Sequence, residues 1–449
     1  MKNSLLYFLC ALGLTTAFSR GQTVLSREDA LALALEHNYG ILMSRNTLEV
    51  ADNNRSLANA GFLPNLAVSS GATYNNADTD ISFPGQFLED GTPRPDLSIN
   101  EAISRGYNAR LTLNYTLFDG GVRWFNYQRL RTQYQITELQ LRETIEQTVL
   151  QLFTVYFQVA FLEETLVNSQ EALSISKDRA ERAEAQFGYG QTNKLAVLNA
   201  QVDVTNDSIA LLGVQRQLST AQRDLNTLLG RSVDQSFTVD KEVTWASSEL
   251  LSLSMEEALQ NNVDVLQAKA LLTQNKYDVK IAQGGYLPSV GLNGSYGWNE
   301  NQNPRSAFFP GTINDSYSLG LGATLTWNLF DGGRTIIRTN NARIALENQT
   351  LAEKQTLLQM ERDLRNARQN YENALEIYEL QSLQVTTAQN NFERTKALYA
   401  QGSITSVEFR QAQLNWTNAL IQRSRAKYDA KLAEMTWLRL SGSLLRTAP

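Results

Sequence analysis

The sequence predicts a mixed α and β membrane protein with an internal two-fold sequence repeat, in which long coiled-coil helices join β-hairpins too few to close a barrel alone. Three observations predict it. The chain is written twice. Residues 122–187 and 334–401 contain neither Pro nor Gly. Segments of alternating apolar and polar residues interrupt the helical runs.

The first segment reads as a signal peptide. Lys2 supplies positive charge, Leu5 to Leu14 is an apolar stretch, and Ala17-Phe18-Ser19 offers small residues for cleavage, so residues 1–22 are assigned to it with the cut near 19–22. The apolar run is too short for a membrane anchor. Cys10, the only cysteine, lies inside it behind Tyr7, Phe8 and Leu9, which do not suit a lipoprotein signal, so the mature chain is expected to hold no thiol. The formal charge is -6, with 40 basic and 46 acidic residues interspersed, unlike the basic patch that nucleic acid requires. No later stretch reads as long and apolar enough for a membrane helix. A chain that crosses a bilayer without helices must do so with strands.

The repeat is the most informative feature. Ala34-Leu35-Glu36-His37-Asn38 recurs as Ala258-Leu259-Gln260-Asn261-Asn262, Phe62-Leu63-Pro64 as Tyr286-Leu287-Pro288, and Leu117-Phe118-Asp119-Gly120-Gly121 as Leu329-Phe330-Asp331-Gly332-Gly333. Gly190 recurs as Gly402, and Leu229-Gly230 as Ser441-Gly442. The prolines are 224 positions apart and the later markers 212, so a 12-residue length difference lies between them, where a loop is expected. The first repeat spans 23–230, with a helix, a β-hairpin at 65–118 and a helical hairpin at 121–229. A linker occupies 231–254. The second repeat spans 255–442, with a helix, a hairpin at 289–330 and a helical hairpin at 333–441, followed by a tail at 443–449.

Proline costs a helix interior about 3 kcal/mol and glycine about 1, so the two clean runs read as continuous helices. Leu357, Met360, Leu364, Ala367, Tyr371, Ala374 and Tyr378 alternate three and four apart, and 212 positions earlier stand Ile145, Thr148, Leu152, Val155, Val159, Leu162 and Leu166. This is the seam of a coiled coil. His37, the only histidine, precedes a helix break at Asn38-Tyr39-Gly40 and is expected at the surface.

Four segments alternate with period two: Leu66 to Tyr74, Leu111 to Leu117, Val290 to Trp298 and Leu319 to Leu329. One face of each is aliphatic or aromatic. The other is Gly, Ser, Thr and Asn rather than charged, as suits a wet lumen, and Tyr74, Trp298 and Trp327 sit near strand ends where aromatic girdles form. Loops are expected at 75–106 and 299–316. About eight strands are the minimum for a membrane barrel, so four must be completed by other copies. Asp119-Gly120-Gly121 and Asp331-Gly332-Gly333 return each hairpin to a helix; the aspartates are expected to cap free N–H groups and the glycines to allow the reversal.

These residues resemble the TolC-type outer-membrane factor family over about 24–442, in the duplicated order, the Leu-Pro strand entries, the Phe-Asp-Gly-Gly exits and the Gly-containing helical turns. The resemblance implies a homotrimer with twelve strands in a shared β-barrel, four per chain, and a long α-helical barrel crossing the periplasm below the outer membrane of a Gram-negative bacterium. It also implies docking through a periplasmic adaptor (membrane fusion) protein to an inner-membrane transporter of RND, ABC or MFS type. Cargo in the family includes drugs, toxic compounds and secreted proteins. Gly190-Gln191-Thr192 and Gly402-Ser403-Ile404 match the adaptor-docking helical tips. Tyr399 matches a gate tyrosine, and Glu408 the first acidic residue that narrows the pore. Ile404 replaces the family's gate arginine, Gln411 its second acidic ring residue, and Ala196 the acidic partner on the first-half turn. The family's salt-bridge lock is therefore not expected in that form; Glu408 with Tyr399 and Gln411 is expected to line a narrower polar constriction, the alternative for Tyr399 and Glu408 being an ordinary solvated helix end.

No phosphate-binding loop, nucleophile elbow, metal cluster or cofactor motif is present in the sequence. An enzyme has no supporting constellation, and energy for transport must come from a partner. The competing expectation is a secreted coiled-coil structural or adhesive protein whose β-hairpins are soluble.

Overall fold

A computed structural model describes residues 24–246, 255–304 and 311–447. The expected signal peptide lies outside the described residues, as do parts of the linker, the second hairpin loop and the tail. The elements are β1 (Val24–Leu25), α1 (Arg27–His37), α2 (Tyr39–Asn54), β2 (Asn65–Ile81), β3 (Leu97–Phe118), α3 (Val122–Gly188), α4 (Lys194–Leu228), β4 (Thr238–Val239), α5 (Met255–Asn261), α6 (Val263–Gln283), β5 (Ser289–Asn303), β6 (Thr312–Thr326), α7 (Arg334–Ala400), α8 (Ser406–Leu440) and α9 (Leu444–Thr447). They fall into two compact units. Of the described residues, one unit gathers those up to Asn46, those within Leu139–Leu266 and those from Gln355; the other gathers those within Thr47–Glu138 and Gln267–Lys354.

α3 and α7 are each 67 residues long, roughly 100 Å at about 1.5 Å per residue. In the first unit the seam residues Leu152, Val159 and Leu162 are buried with Phe153, Tyr156 and Phe157 against Leu225, Leu229, Tyr428 and Leu438. Met360, Leu364, Ala367 and Tyr371 pack on Ala258, Val265 and Trp437. One stretch of α3 is in fact long and apolar enough to cross a membrane, contrary to expectation. Its greasiness is that of a core, since Phe153 and Tyr156 are fully buried among other helices and the short β1 and β4 strands.

The helix breaks form one joint made twice. Asn38 caps α2, accepting from the Gly40 and Ile41 N–H groups at 2.9 and 3.3 Å, while its Nδ2 donates to the Leu228 carbonyl at 3.0 Å. Asn262 does the same at α6, accepting from Asp264 and Val265 and donating to Leu440 at 3.0 Å. Gly230 and Gly442 complete the joints at φ +64 and +70; a Cβ on either would meet the carbonyl oxygen of His37 or Asn261 at 2.5 Å. His37 is half exposed, as expected.

Part of the linker is a strap laid on the helices. β4 pairs in parallel with β1. The Asp240 N–H donates to the Tyr156 hydroxyl, which donates to the Leu25 carbonyl at 2.8 Å. Lys431 Nζ reaches the Thr244 carbonyl at 2.7 Å, and the Ala246 N–H donates to Glu434 at 3.1 Å. Lys431 and Glu434 pair with each other, and Glu434 is fully buried.

The second unit carries a four-stranded antiparallel sheet in the order β2-β3-β5-β6. Its strands are longer than the alternation predicted. β2 and β3 stay paired out to Ile81 and Leu97, so most of the expected loop at 75–106 is ladder and only 82–96 connects the strands. β5 and β6 pair to Asn303 and Thr312, leaving 304–311 between them. At the other end β6 stops at Thr326, short of Leu329. The missed part of β2, Asn75 to Asp80, is almost entirely polar and carries no apolar alternation, whereas β3 does alternate at Leu97-Ser98-Ile99-Asn100 before a bulge at Glu101 breaks the pattern. Ser98–Asp80 and Glu101–Asp78 hydrogen bonds add to the backbone pairing there. The 12-residue difference between the repeats lengthens both the ribbon and its loop.

Candidate functional site

The sheet sorts its side chains by chemistry. Adjacent rows across the ladder on one face are Leu66, Leu113, Gly294, Leu321 and then Val68, Leu111, Tyr296, Leu319. These residues face solvent in the single chain: Leu321 is 82% exposed and Leu319 72%. A row of Ser70, Ala109, Trp298 and Tyr317 follows. Trp298 Nε1 donates to Asp315 at 2.5 Å, and Tyr74 lies one level beyond Tyr107, 5.9 Å from Arg105. At the opposite end, Trp327 follows the close of β6, and its Nε1 donates to the Tyr286 carbonyl at 3.2 Å. Burying apolar surface is worth about 25 cal/mol per Å², so a face this large requires an apolar partner. β2 and β6 are open edges.

The strand-to-helix turns use the Asp-Gly-Gly motif twice. Asp119 Oδ2 accepts from the Arg123 N–H at 3.1 Å and from its Nε at 2.8 Å. Asp331 Oδ2 accepts from the Thr335 N–H at 2.9 Å and its hydroxyl at 2.6 Å. Gly120 sits at φ +68 with no room for a Cβ, which would meet the Gly284 oxygen at 2.7 Å and Leu287 at 2.8 Å. A Cβ added at Gly332 or Gly333 would meet nothing within 4 Å among the described residues.

The helical hairpin tips are the second candidate site. Both turns have the same hydrogen bonds: Gln191 N–H to the Gln186 carbonyl at 2.8 Å, and Ser403 N–H to Leu398 at 3.0 Å, with Gly190 at φ +73 and Gly402 at +74. Thr192 lies between Gln191 and the N-cap Asn193, which holds the Ala196 N–H at 3.1 Å. The second tip has a full capping box, with Thr405 Oγ1 accepting from the Glu408 N–H at 3.2 Å and the Glu408 carboxylate accepting from the Thr405 N–H at 2.8 Å. Glu408 is exposed, and these Thr405 donors hold its carboxyl below the usual carboxylate range. Gln411 is exposed too and donates to Asn415 at 2.9 Å. Tyr399 stacks on Phe409 at 4.8 Å, with the Arg182 guanidinium 5.2 Å from its ring and Ile404 in the same apolar cluster.

Sequence reasoning missed the charged clamp beside this cluster. Arg410 on α8 makes a two-pronged pair with Asp207 on α4, both bonds 2.7 Å, and lies 3.7 Å from Asp203. Asp203 is paired to Arg179 on α3, whose Nη1 reaches the Ser406 carbonyl at 3.4 Å. Buried Gln413 adds a bond to the Ala172 carbonyl at 2.9 Å. First-half and second-half hairpins are thereby pinned together. The clamp belongs to one copy of each position only: 212 positions away from Arg179, Asp203, Asp207 and Arg410 stand Asn391, Asn415, Ala419 and Leu198.

The outer membrane efflux protein family model matches residues 30–231 and 254–443. Outer membrane protein TolC of Vibrio cholerae is 20% identical over 323 residues, which are 72% of this chain and 73% of that protein. Outer membrane efflux protein BepC of Brucella suis is 22% identical over 318 residues, 70% of this chain and 63% of its own length. The crystal structure of the CmeC outer membrane channel of Campylobacter jejuni superimposes with a TM-score of 0.73 at 17% identity, covering 93% of this chain and 86% of that one.

Proposed function

The chain belongs to the outer membrane efflux protein family, and from that premise we propose that three copies form a passive exit duct through the outer membrane, fed by a periplasmic adaptor and an inner-membrane transporter of RND, ABC or MFS type. The observation that carries it is the four-stranded sheet, apolar on one face and open at both edges. In lipid an open edge leaves backbone groups unpaired at several kcal/mol each. Pairing β6 of one copy with β2 of the next removes every edge and gives twelve strands.

The repeat supports the same closure. Inside the chain Gly120 packs on Gly284 and Leu287. By the 224-residue offset the equivalents of that surface are Ala60 and Leu63, just ahead of β2. They would meet Gly332 across the joint between copies. Exposed Val202, Ile209 and Leu212 on α4 and Leu351, Leu358 and Leu380 on α7 offer further apolar surface to neighbours. The tips around Gly190-Gln191-Thr192 and Gly402-Ser403-Ile404 serve as the adaptor's docking points, and Tyr74, Trp298 and Trp327 as interface anchors.

The expected result is an outer-membrane trimer that runs as an oligomer unless heated and conducts ions in planar bilayers. A monodisperse, detergent-free monomer would overturn the reading and favour a secreted coiled-coil protein instead. Threefold symmetry would gather three Glu408 carboxylates at the tip constriction, with Tyr399 and Gln411 beside them. The Thr405 hydrogen bonds favour the charged form of Glu408, while repulsion among three gathered carboxylates opposes it. Glu408→Ala should raise conductance and weaken block by divalent cations; unchanged conductance and block would remove Glu408 from the constriction.

A further inference from the structure

Below the bulge at Ala77–Thr79, the polar face of the sheet carries a single charge. Ser69, Arg110, Gly297 and Ser318 form one row across the ladder on that face. Every other position on it, from Asn65 to Asn75 on β2 and from Asn293 to Asn301 on β5, is Asn, Ser, Thr, Ala or Gly, and β3 and β6 follow suit. Arg110 is exposed and makes no ion pair or side-chain hydrogen bond among the described residues. No acid neutralises it.

Its depth is set by the opposite face. Arg110 stands between Leu111, in the row with Tyr296 and Leu319, and Ala109, in the row with Trp298 and Tyr317. That level lies inside the apolar band, just below the outer aromatic row. An arginine facing lipid near mid-membrane costs about 2–4 kcal/mol, a cost that the polar face avoids. The small neighbours Ser69 and Gly297 leave the guanidinium free to project.

We propose that Arg110 is repeated around the threefold axis as a cationic ring in the exterior mouth of the duct, where it favours anionic solutes and resists cations entering from outside. This rests on the trimeric duct proposed above. Charged rings in a pore with low-dielectric walls set ion preference directly. The Debye length is about 10 Å at 0.1 M salt and about 3 Å at 1 M, so the preference should be strong in dilute salt and fade in concentrated salt.

The test is reversal potential in a KCl gradient across planar bilayers, with hexacyanoferrate(II) as blocker from the hairpin-loop side. Arg110→Ser should shift the chloride-to-potassium permeability ratio roughly threefold toward potassium near 0.1 M salt and relieve the block, and Arg110→Lys should keep both. Cys10 is the only cysteine, inside the expected leader, so Arg110→Cys gives the mature chain one thiol. Its modification by an ethylammonium methanethiosulfonate should restore the native ratio, and the sulfonatoethyl reagent should push it further toward potassium. If native and Arg110→Ser channels share the same ratio and block, the inference fails while the duct stands. If the native protein forms no channel, the duct reading fails and takes this inference with it.

Discussion

Arg410→Ala is expected to loosen the hairpin tips and raise the single-channel conductance of the reconstituted trimer. The Arg410 and Asp207 side chains are only 13% and 12% exposed, so their bidentate pair is largely shielded from solvent. Removing the arginine leaves Asp207 without its ionic partner and Asp203 with Arg179 alone. Breaking a buried pair by deleting one partner costs about 3 kcal/mol or more, and about 3 kcal/mol is roughly a hundredfold in the balance between clamped and unclamped tips. Asp207→Asn should have a smaller effect, since the amide oxygen still accepts one guanidinium bond. A double-mutant cycle separates the pair from the rest of the tip. Conductance and tip proteolysis identical to the native channel would show that the clamp does not hold the tips together.

Glu434→Leu is expected to lower the melting temperature of the helical unit more than any exposed substitution. Glu434 is fully buried and accepts from Lys431 and the Ala246 N–H. Burial of Tyr371 and, second to it, the neighbouring Glu434 charge push the Tyr371 hydroxyl up to about 12. Without Glu434, Lys431 is a buried cation bonded only to the Thr244 carbonyl, at a cost of about 3–5 kcal/mol. Replacing both with leucine and methionine should recover much of the loss, because an apolar pair of similar volume is often neutral in such sites. Circular dichroism melts of the two variants in detergent decide it. If the single and double variants melt together, the pair carries no special weight.

Legibility in the sequence followed the physical signal. Long helices declare themselves by lacking Pro and Gly, and both proved to be 67 residues long. The tip turns and strand exits could be located because αL glycines recur at Gly190, Gly402, Gly120 and Gly332. The outer end of β2 was hidden, since residues such as Asn75, Asn76 and Asp78 carry no apolar alternation, and in β3 the alternation of Leu97-Ser98-Ile99-Asn100 is cut short by a bulge at Glu101. The clamp was hidden for another reason. Arg410 and Asp207 are 203 positions apart, and no local pattern announces a partner that only the packing of two hairpins brings near. The strap from β4 to Ala246 was missed likewise, because its anchors are carbonyls and N–H groups met by side chains on distant helices. The apolar window in α3 misled in a different way: Phe153, Tyr156 and Phe157 correspond to Arg365, Arg368 and Gln369 in the second copy, so only one of the two long helices carries a thick aromatic core there.

That divergence is possible because the helix-end joints are indifferent to it. Asn38 with Gly230, and Asn262 with Gly442, grip peptide groups rather than side chains. Aromatic filling on one side and charged cladding on the other can therefore drift apart over time while both halves keep a common hinge geometry. The freedom ends at four positions. There one added methyl group collides with a main-chain oxygen or one lost amide unfastens a helix start, so tolerance to mutation should be narrowest at residues that contribute almost nothing to the hydrophobic interior.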